Sequence, residues 1–254
     1  MKKFWRGQAK KFGSQVKTVN FDPLYEELEI YYLEQLVKDR ELVCDLGCGN
    51  GRTLLHLAHR RKRSKFYGTD FIKEMIDIAQ KQKQRQGLRN INFATADATT
   101  RRVRTLLNLK FDKVITKRLL INLKGKDKFK AVENIHHLLK KKGIYIMIEC
   151  FIEPLDRINR IRKETGLEEI KAKRFNEYLD AGFLKRISSS FDVKEVIDFG
   201  GLYYFTSRIY NAYLAKGKPD YHAPINKLAL KLTKMGLNVL CGYSPEVILV
   251  LQKK

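Results

Sequence analysis

Leu42-Val43-Cys44-Asp45-Leu46-Gly47-Cys48-Gly49-Asn50-Gly51 decides how this chain folds. Its first half reads as a short buried strand ending on an acid, Asp45. Its second half is a tight glycine turn. From Arg52 to His59 a helical pattern follows, with Leu54, Leu55, Leu57 and Ala58 as its apolar positions. Three glycines in five residues let the backbone turn sharply and leave bare main chain for a ligand to lie against. The helix start beyond Gly51 offers unpaired N–H groups to an anion. A strand, a glycine turn and a helix opening an α/β domain form a cofactor cradle.

The glycines are spaced G-x-G-x-G, and an acid stands two residues before the first. The dinucleotide fingerprint is G-x-G-x-x-G and does not need that acid. A phosphate-binding P-loop needs Gly-Lys-Ser/Thr, which is missing here.

Outward from this turn, strand and helix patterns alternate. Asp22-Pro23 is a helix start, with Asp22 as N-cap and Pro23 in the first turn of a helix reaching about Val37. Residues 1–20 are basic and weakly patterned. Short strands are expected at Lys65–Thr69, Ile91–Thr95, Phe111–Thr116 and Ile144–Ile148, the last nearly all apolar, as suits a parallel strand covered on both faces. Between them lie helices carrying Ile72, Met75, Ile76 and Ala79, then Phe129, Ala131, Val132, Ile135, Leu138 and Leu139. The second ends at Lys140–Lys142 and Gly143. Such alternation means a parallel sheet with helices on both sides. Polar residues recur at the carboxyl ends of the strands: Asp45, Asp70, Asp97, Thr116 and Glu149. Ligands of open α/β sheets bind at that edge. Beyond residue 150, helices are expected at Pro154–Thr165, Asn176–Ile187, Leu202–Ala215 and Ile225–Met235, and strands at Phe191–Phe199 and Glu246–Leu251. There is no repeat and no low-complexity linker, so 1–254 reads as a single domain. Its parts are an N-terminal helical cover (1–40), a cofactor-binding core (41–150) and an acceptor side (151–254) with an insertion at 200–243.

Asp45 to Gly51 resembles the first motif of class I S-adenosylmethionine-dependent methyltransferases, D-x-G-x-G-x-G. The element order is similar too, over about Glu41 to Glu149 and the strands near 191–199 and 246–251. The resemblance implies a Rossmann-like α/β fold with a seven-stranded sheet, the last strand lying antiparallel between the fifth and sixth. Here an N-terminal helical extension and a helical insertion between the last two strands would be added. It implies S-adenosyl-L-methionine as cofactor, with Gly47, Gly49 and Gly51 in the turn and Gly47 against the methionine end. Asp70 would bind both ribose hydroxyls, since a carboxylate accepts several hydrogen bonds. Phe71 and Ile72 would flank the adenine, and Asp97, within Ala96-Asp97-Ala98, would take its amino group. Thr116 to Arg118 would face the transferred methyl. Asp70 and Asp97 each also suit a helix N-cap, a common role just after a strand. Three further stretches, Asn20–Leu28, Lys117–Leu123 and the C-terminal Pro219–Asn226, resemble stand-alone bacterial and archaeal methyltransferase-domain proteins that act on small molecules or surface-glycan components.

The chain has 254 residues, enough for one large α/β domain, and its 44% hydrophobic and 11% aromatic content is globular. No apolar run approaches the roughly 20 residues that span a bilayer, and the basic N-terminus has no apolar stretch behind it, so a cytoplasmic protein is expected. Cys44, Cys48, Cys150 and Cys241 form no zinc spacing, and no metal site is expected. The net charge of +23 has two readings. One is a polyanionic partner such as RNA, or an anionic membrane surface. The other, which is favoured, is charge spread over solvated helix faces. The runs Arg60–Arg63, Lys81–Arg85 and Lys140–Lys142 fall near helix ends, where the helix dipole favours cations.

In-line displacement asks the protein mainly for positioning and a dry site, with a general base only where the nucleophile holds its proton. Arg118 and Glu149 rank first on the acceptor side, Arg118 with Lys117 to orient an anionic acceptor. His222 is a third candidate. His136, on its helix's apolar stripe, reads as a packed histidine, and His137 points away. The segment Gly200–Tyr243, rich in tyrosine, reads as a lid over the acceptor or as a helical pair on the sheet edge. Residues 1–37 form a second wall, with Phe12 and Phe21 covering the cofactor. Two enclosing segments favour a small-molecule, lipid or glycan-component acceptor in a closed pocket. An RNA or protein acceptor, and a non-catalytic cofactor-binding protein, are the alternatives. The N-P-P-Y motif of amino-directed nucleic-acid enzymes is replaced here by Thr116-Lys117-Arg118-Leu119.

Overall fold

The computed structural model describes residues 1–216 and 220–254, so Pro219 of the C-terminal match lies outside the described residues. Two helices come first, α1 (Lys2–Phe12) and α2 (Pro23–Leu36), with a 3₁₀ turn at Val16–Thr18 between them. Residues 1–20 are therefore more ordered than their patterning suggests. The strands β1 (Leu42–Leu46), β2 (Lys65–Asp70), β3 (Ile91–Thr95), β4 (Phe111–Lys117) and β5 (Leu139–Cys150) follow. They alternate with α3 (Arg52–Arg60), α4 (Lys73–Arg85), α5 (Arg102–Leu107) and α6 (Lys126–Leu138). Then come α7 (Ile152–Glu164), α8 (Ala181–Ile187), β6 (Phe191–Ile197), α9 (Gly201–Phe205), a π-helical turn at Thr206–Tyr210, α10 (Asn211–Leu214), α11 (Pro224–Lys234) and β7 (Glu246–Lys253).

The strands form one seven-stranded sheet in the order β3-β2-β1-β4-β5-β7-β6. β1 pairs in parallel with both β2 and β4, while β7 runs antiparallel to β5 and β6. The chain winds one way from β1 and then the other, so the switch point lies between β1 and β4, where a crevice must open at the carboxyl edge. One face of the sheet packs Leu28, Leu33, Leu54, Leu57 and Leu230 from α2, α3 and α11. The other packs Val103, Leu107, Ala131, Ile135, Leu138 and Phe183 from α5, α6 and α8. Local chemistry sets the ends. The Asp22 carboxylate accepts the Tyr25 N–H at 3.0 Å, as an N-cap does, with Pro23 in the first turn of α2. Arg61 closes α3 onto α2 by donating to the carbonyls of Val37 and Glu34.

Three local expectations need correction, and one helix, α5, was not expected. Lys140–Lys142 do not end α6; they belong to β5, where Lys140 pairs with Asp112 at 2.6 Å and the register with β4 shifts between Phe111 and Lys113. The helix expected over 176–187 begins only at Ala181. Before it, backbone groups bond elsewhere: Glu177 N–H donates to Ile121 and Leu179 N–H to Cys150, each carbonyl within 2.9 Å. Phe129 is not on the inward stripe; it is 37% exposed and stacks on Phe183. α5, short and arginine-rich, carried no signal that set it apart from a turn.

The insertion packs on α2. Tyr203 donates to Asp22 at 2.8 Å, and Arg208 pairs with the same carboxylate at 2.9 Å between the rings of Tyr204 and Tyr221. Tyr31 donates to the Lys234 carbonyl.

Candidate active site

The turn after β1 is built as its glycines require. Gly47 and Gly49 have φ of 81° and 55°, left-handed values that L side chains avoid. A Cβ on Gly47 would lie 2.9 Å from Leu119 Cδ1, and one on Gly49 2.8 Å from Val19 Cγ1. Two turn amides, those of Gly47 and Cys48, donate to the Thr69 carbonyl, which fastens the turn to β2. The Asn50 amide donates to the carbonyls of Gly13 and Gln15 and ties the turn to the segment after α1.

A cavity opens over this turn at the switch point. Its floor is Asp45, Gly47, Cys48, Gly49, Asn50 and Thr53; one side is Asp70, Phe71, Ile72 and Met75; the other is Lys117, Arg118 and Leu119. Asp70 spends one lone pair of each oxygen on the protein, accepting Gly49 N–H at 3.0 Å and Ile72 N–H at 2.8 Å. The remaining lone pairs are free for a diol. Burial pushes its carboxyl up to about 6, against those N–H groups. Burial also pushes Asp45 up to about 7, opposed by Lys117 and reinforced by Asp70.

Around the cavity Asp45 Oδ1 and Asn50 Oδ1 are buried without a hydrogen-bond partner among the described residues, while Glu26 sits between two cations, its Oε2 3.4 Å from Arg52 Nε and its Oε1 3.6 Å from Lys117 Nζ. Buried polar atoms are ordinarily bonded. The unmatched oxygens of Asp45 and Asn50 suit the ammonium of an amino acid, and Arg52, which lines the cavity beside them, is a cation for its carboxylate. The methionine end of S-adenosylmethionine is such a group, and the residues fit it.

Beyond Phe71 a second cavity is lined by Phe71, Thr95, Ala96, Asp97, Thr100, Arg102, Leu106 and Lys2. Phe71 thus stands between the two. Asp97 is exposed at this rim, and its carboxylate accepts the backbone N–H and hydroxyl of Thr99. Ala98 is buried behind it.

The roof comes from distant segments. Trp5 of α1 donates to the Asn122 side chain at 3.3 Å, and Asn176 donates to the same oxygen at 3.1 Å. Lys173 places its ammonium 4.7 Å from the ring of Phe4 and 5.1 Å from that of Trp5. Trp5 and Val19, rather than Phe12 and Phe21, line the cavity from the N-terminal side; Phe12 and Phe21 pack on each other, with Phe21 exposed. Among the described residues, none from 200–243 lines the cavity, so the insertion braces α2 and the lid is α1 with the segment around Lys173 and Asn176.

The acceptor-side candidates separate. Arg118 lines the cavity in a left-handed conformation (φ 54°), but its guanidinium is engaged by two buried carboxylates, Glu29 and Glu246, the latter at 2.7 Å. Lys117 pairs with Glu29 at 2.9 Å and donates to Thr53. Arg118 and Lys117 hold the Glu29 carboxyl well below the usual carboxylate range despite burial. Glu246, buried and facing Glu29, is pushed well above it. Glu149 is fully buried and turned into the protein. It accepts the N–H groups of Leu120 at 2.8 Å and Ile121 at 3.2 Å, and burial pushes it up to about 7. Thr116 is buried beside it, bonded to Tyr145. Gly51 caps α3 against Ala79 and Phe93, outside the cavity. His222 is exposed on the insertion. His136 packs edge-on against Phe191, and His137 is exposed.

Sequence reasoning passed over Glu26, Glu29 and Glu246. The signal was present in α2, where Glu26 and Glu29 stand one helical turn apart on the face that also holds Tyr25 and Leu33. Acids on an apolar stripe need buried partners. The basic runs do not rim the cavity. Arg60–Arg63 and Lys81–Arg85 lie at the far ends of α3 and α4, and Lys140–Lys142 at the amino end of the parallel strands. Among the described residues no helix is long and apolar enough to cross a membrane, and no cluster of potential metal ligands occurs.

Comparison with known proteins agrees with this geometry. A probable (S)-tetrahydroprotoberberine N-methyltransferase 2 of Papaver bracteatum is 35% identical over 71 residues, 28% of this chain and 20% of that enzyme. A carboxy-S-adenosyl-L-methionine synthase of Nautilia profundicola is 24% identical over 174 residues, 62% of this chain and 70% of that enzyme. The match thus spans only a fifth of the Papaver enzyme's length. Among solved structures, magnesium protoporphyrin IX methyltransferase of Synechocystis PCC 6803 with bound SAH shares the fold with a TM-score of 0.58 at 15% identity, covering 99% of this chain and 94% of that one. Coclaurine N-methyltransferase bound to N-methylheliamine and SAH gives 0.58 at 17% identity, covering 91% and 72%. A methyltransferase-domain family model matches residues 38–201, well over half of the chain. The chain belongs to the class I S-adenosylmethionine-dependent methyltransferase family.

Proposed function

We propose that this chain transfers a methyl group from S-adenosylmethionine to a small-molecule, lipid or glycan-component acceptor. The carrying observation is the cavity at the β1–β4 switch point, floored by the left-handed Gly47–Gly49 turn, flanked by Asp70 and roofed by Trp5 and Asn176. A roofed cavity suits an acceptor that enters whole better than a polymer laid along a groove. That is the ground for preferring this reading to an RNA or protein acceptor.

The cofactor supplies a methyl group on a sulfonium, which needs no further activation. The chain binds, orients and excludes water. Asp45 presents an unmatched oxygen to an ammonium, and Arg52, paired at 3.4 Å with Glu26, presents a cation to a carboxylate. Asp70 offers its spare lone pairs to the ribose hydroxyls. Phe71 and Ile72 give the adenine an apolar wall, and Asp97 stands at its rim. Arg118, fixed by Glu29 and Glu246, shapes the acceptor wall, and Glu149 holds the 118–122 turn that carries it. Small acceptors are also the substrates named for the Papaver and protoporphyrin relatives.

Calorimetry with S-adenosylhomocysteine tests the cofactor half. Asp70→Ala removes two or more charge-assisted hydrogen bonds of about 1.5–3 kcal/mol each, so affinity falls at least a hundredfold. Equal affinities for wild type and variant refute the assignment. A radiolabelled methyl-transfer assay over fractionated cell extract tests the other half. Label confined to RNA or protein refutes the small-acceptor reading.

A further inference from the structure

Helix α1 has two faces. Phe4, Trp5, Gln8, Ala9 and Phe12 share the inner one, where Trp5 and Ala9 pack on Phe71, Ile72 and Met75 beside the cavity. Lys2, Lys3, Arg6, Lys10 and Lys11 share the outer one, and all five are exposed. The helix contains no acid. Among the described residues only Arg6 of the five meets a carboxylate, Glu74 at 3.3 Å. The roof segment extends the same surface. Lys171 and Lys173 are exposed, and Lys173 lies on the rings of α1 rather than against an acid. Two apolar side chains stand at its border, Met1 at 40% and Phe21 at 46% exposure; Phe21 lies 5.5 Å from the Lys173 ammonium.

We propose that this face docks on an anionic lipid surface and sets the mouth of the cavity against the headgroups. A face on which four of five cations meet no acid among the described residues is complementary to an anionic leaflet. Exposed Met1 and Phe21 add the apolar contact that interfacial helices use. A single-stranded polynucleotide fits less well, because it needs aromatic faces for its bases, and α1 turns Phe4 and Trp5 inward. The position matters for chemistry: the helix that carries the charge also carries Trp5, which lines the cavity. Docking goes beyond methyl transfer and does not depend on which acceptor is used.

The test is co-sedimentation of the full chain with phosphatidylcholine vesicles, with and without phosphatidylglycerol, at low and at physiological salt. Wild type is expected to bind only the anionic vesicles, and less at higher salt. Each cation near an anionic leaflet contributes roughly fivefold. Lys3→Gln/Lys10→Gln/Lys11→Gln therefore lowers partitioning about a hundredfold, and the corresponding Glu variant lowers it further. Binding of S-adenosylhomocysteine reports that each variant is folded, since none of the three residues lines a cavity. Equal binding to neutral vesicles overturns the proposal, and so do variants that bind like wild type. Release from vesicles by a single-stranded oligonucleotide at matched phosphate concentration overturns it in favour of nucleic acid. If wild type fails to bind S-adenosylhomocysteine, the methyltransferase reading falls while the vesicle result stands.

Discussion

Arg118→Met separates two roles for one residue. Arg118 either meets the acceptor or serves as counter-ion for the acids behind it. Its guanidinium donates to Glu29 and to Glu246, and neither side chain is more than 5% exposed. Removing one partner of a buried ion pair costs about 3–5 kcal/mol, because a charge is left without compensation. Lys117 remains 2.9 Å from Glu29, and burial pushes the Glu246 carboxyl above its usual range, which favours its neutral form once Arg118 is gone. The loss therefore falls at the lower end, about 3 kcal/mol. At roughly 2–4 °C per kcal/mol for a chain of this size, Tm drops by about 6–12 °C. The pH dependence fixes the cause. In wild type, Glu29 has a depressed pKa, so its contribution is complete above the ordinary carboxylate value and is lost as pH falls through the depressed one. Without Arg118 that pKa rises, so the variant's Glu29 takes up its proton at higher pH than the wild type's. The gap between variant and wild type is therefore widest near pH 7 and narrows toward pH 4. Scanning calorimetry across that range measures it. A Tm loss below about 2 °C, or a gap that does not narrow in acid, refutes the counter-ion argument. A stable variant that has lost only turnover points to contact with the acceptor instead.

Gly49→Ala places a left-handed Cβ 2.8 Å from Val19 Cγ1. It is expected to cost about 1–3 kcal/mol in urea unfolding and to weaken S-adenosylhomocysteine at the same time; an unchanged variant refutes the close approach of turn and cover. Burial pushes the Asp45 carboxyl up to about 7; if its ionised form holds the ligand ammonium as proposed, S-adenosylhomocysteine affinity rises with pH up to about 7 and then levels. Asp45→Asn flattens that profile in calorimetry. In the unliganded protein the sign is opposite: a carboxyl raised above its ordinary 3.8 costs stability as pH climbs from about 4 to about 7.

The sheet was legible because its signals are local. Apolar runs from Leu42 and Ile144, a glycine turn and an acid closing each strand are features of a few residues, and they put Asp45, Asp70 and Lys117 on one edge. The misread positions have long-range partners. Asn176 and Glu177 leave the helical pattern because they bond to Asn122 and Ile121, more than 50 residues away. Lys140–Lys142 read as a helix cap until Asp112 takes Lys140 into β5. Glu149 ends its strand as a candidate facing the acceptor would, yet two backbone amides of the 118–122 turn claim it.

The same contrast explains why the acceptor wall cannot be read from any one motif. The cavity floor comes from one short stretch, Asp45 to Thr53. The opposite wall joins β4, α2 and β7 through Arg118, which reaches Glu29 and Glu246 across 89 and 128 positions of sequence. α2 is held in turn by the insertion, since Asp22 at its N-terminus accepts Tyr203 and pairs with Arg208. Residues 200–214 and 224–234 therefore bear on this wall of the cavity at one remove: they fix α2, α2 fixes Glu29, and Glu29 fixes Arg118. An insertion variant is expected to act through this ion network, in stability and in wall geometry, whereas a change at Trp5 or Asn176 acts on the cavity directly.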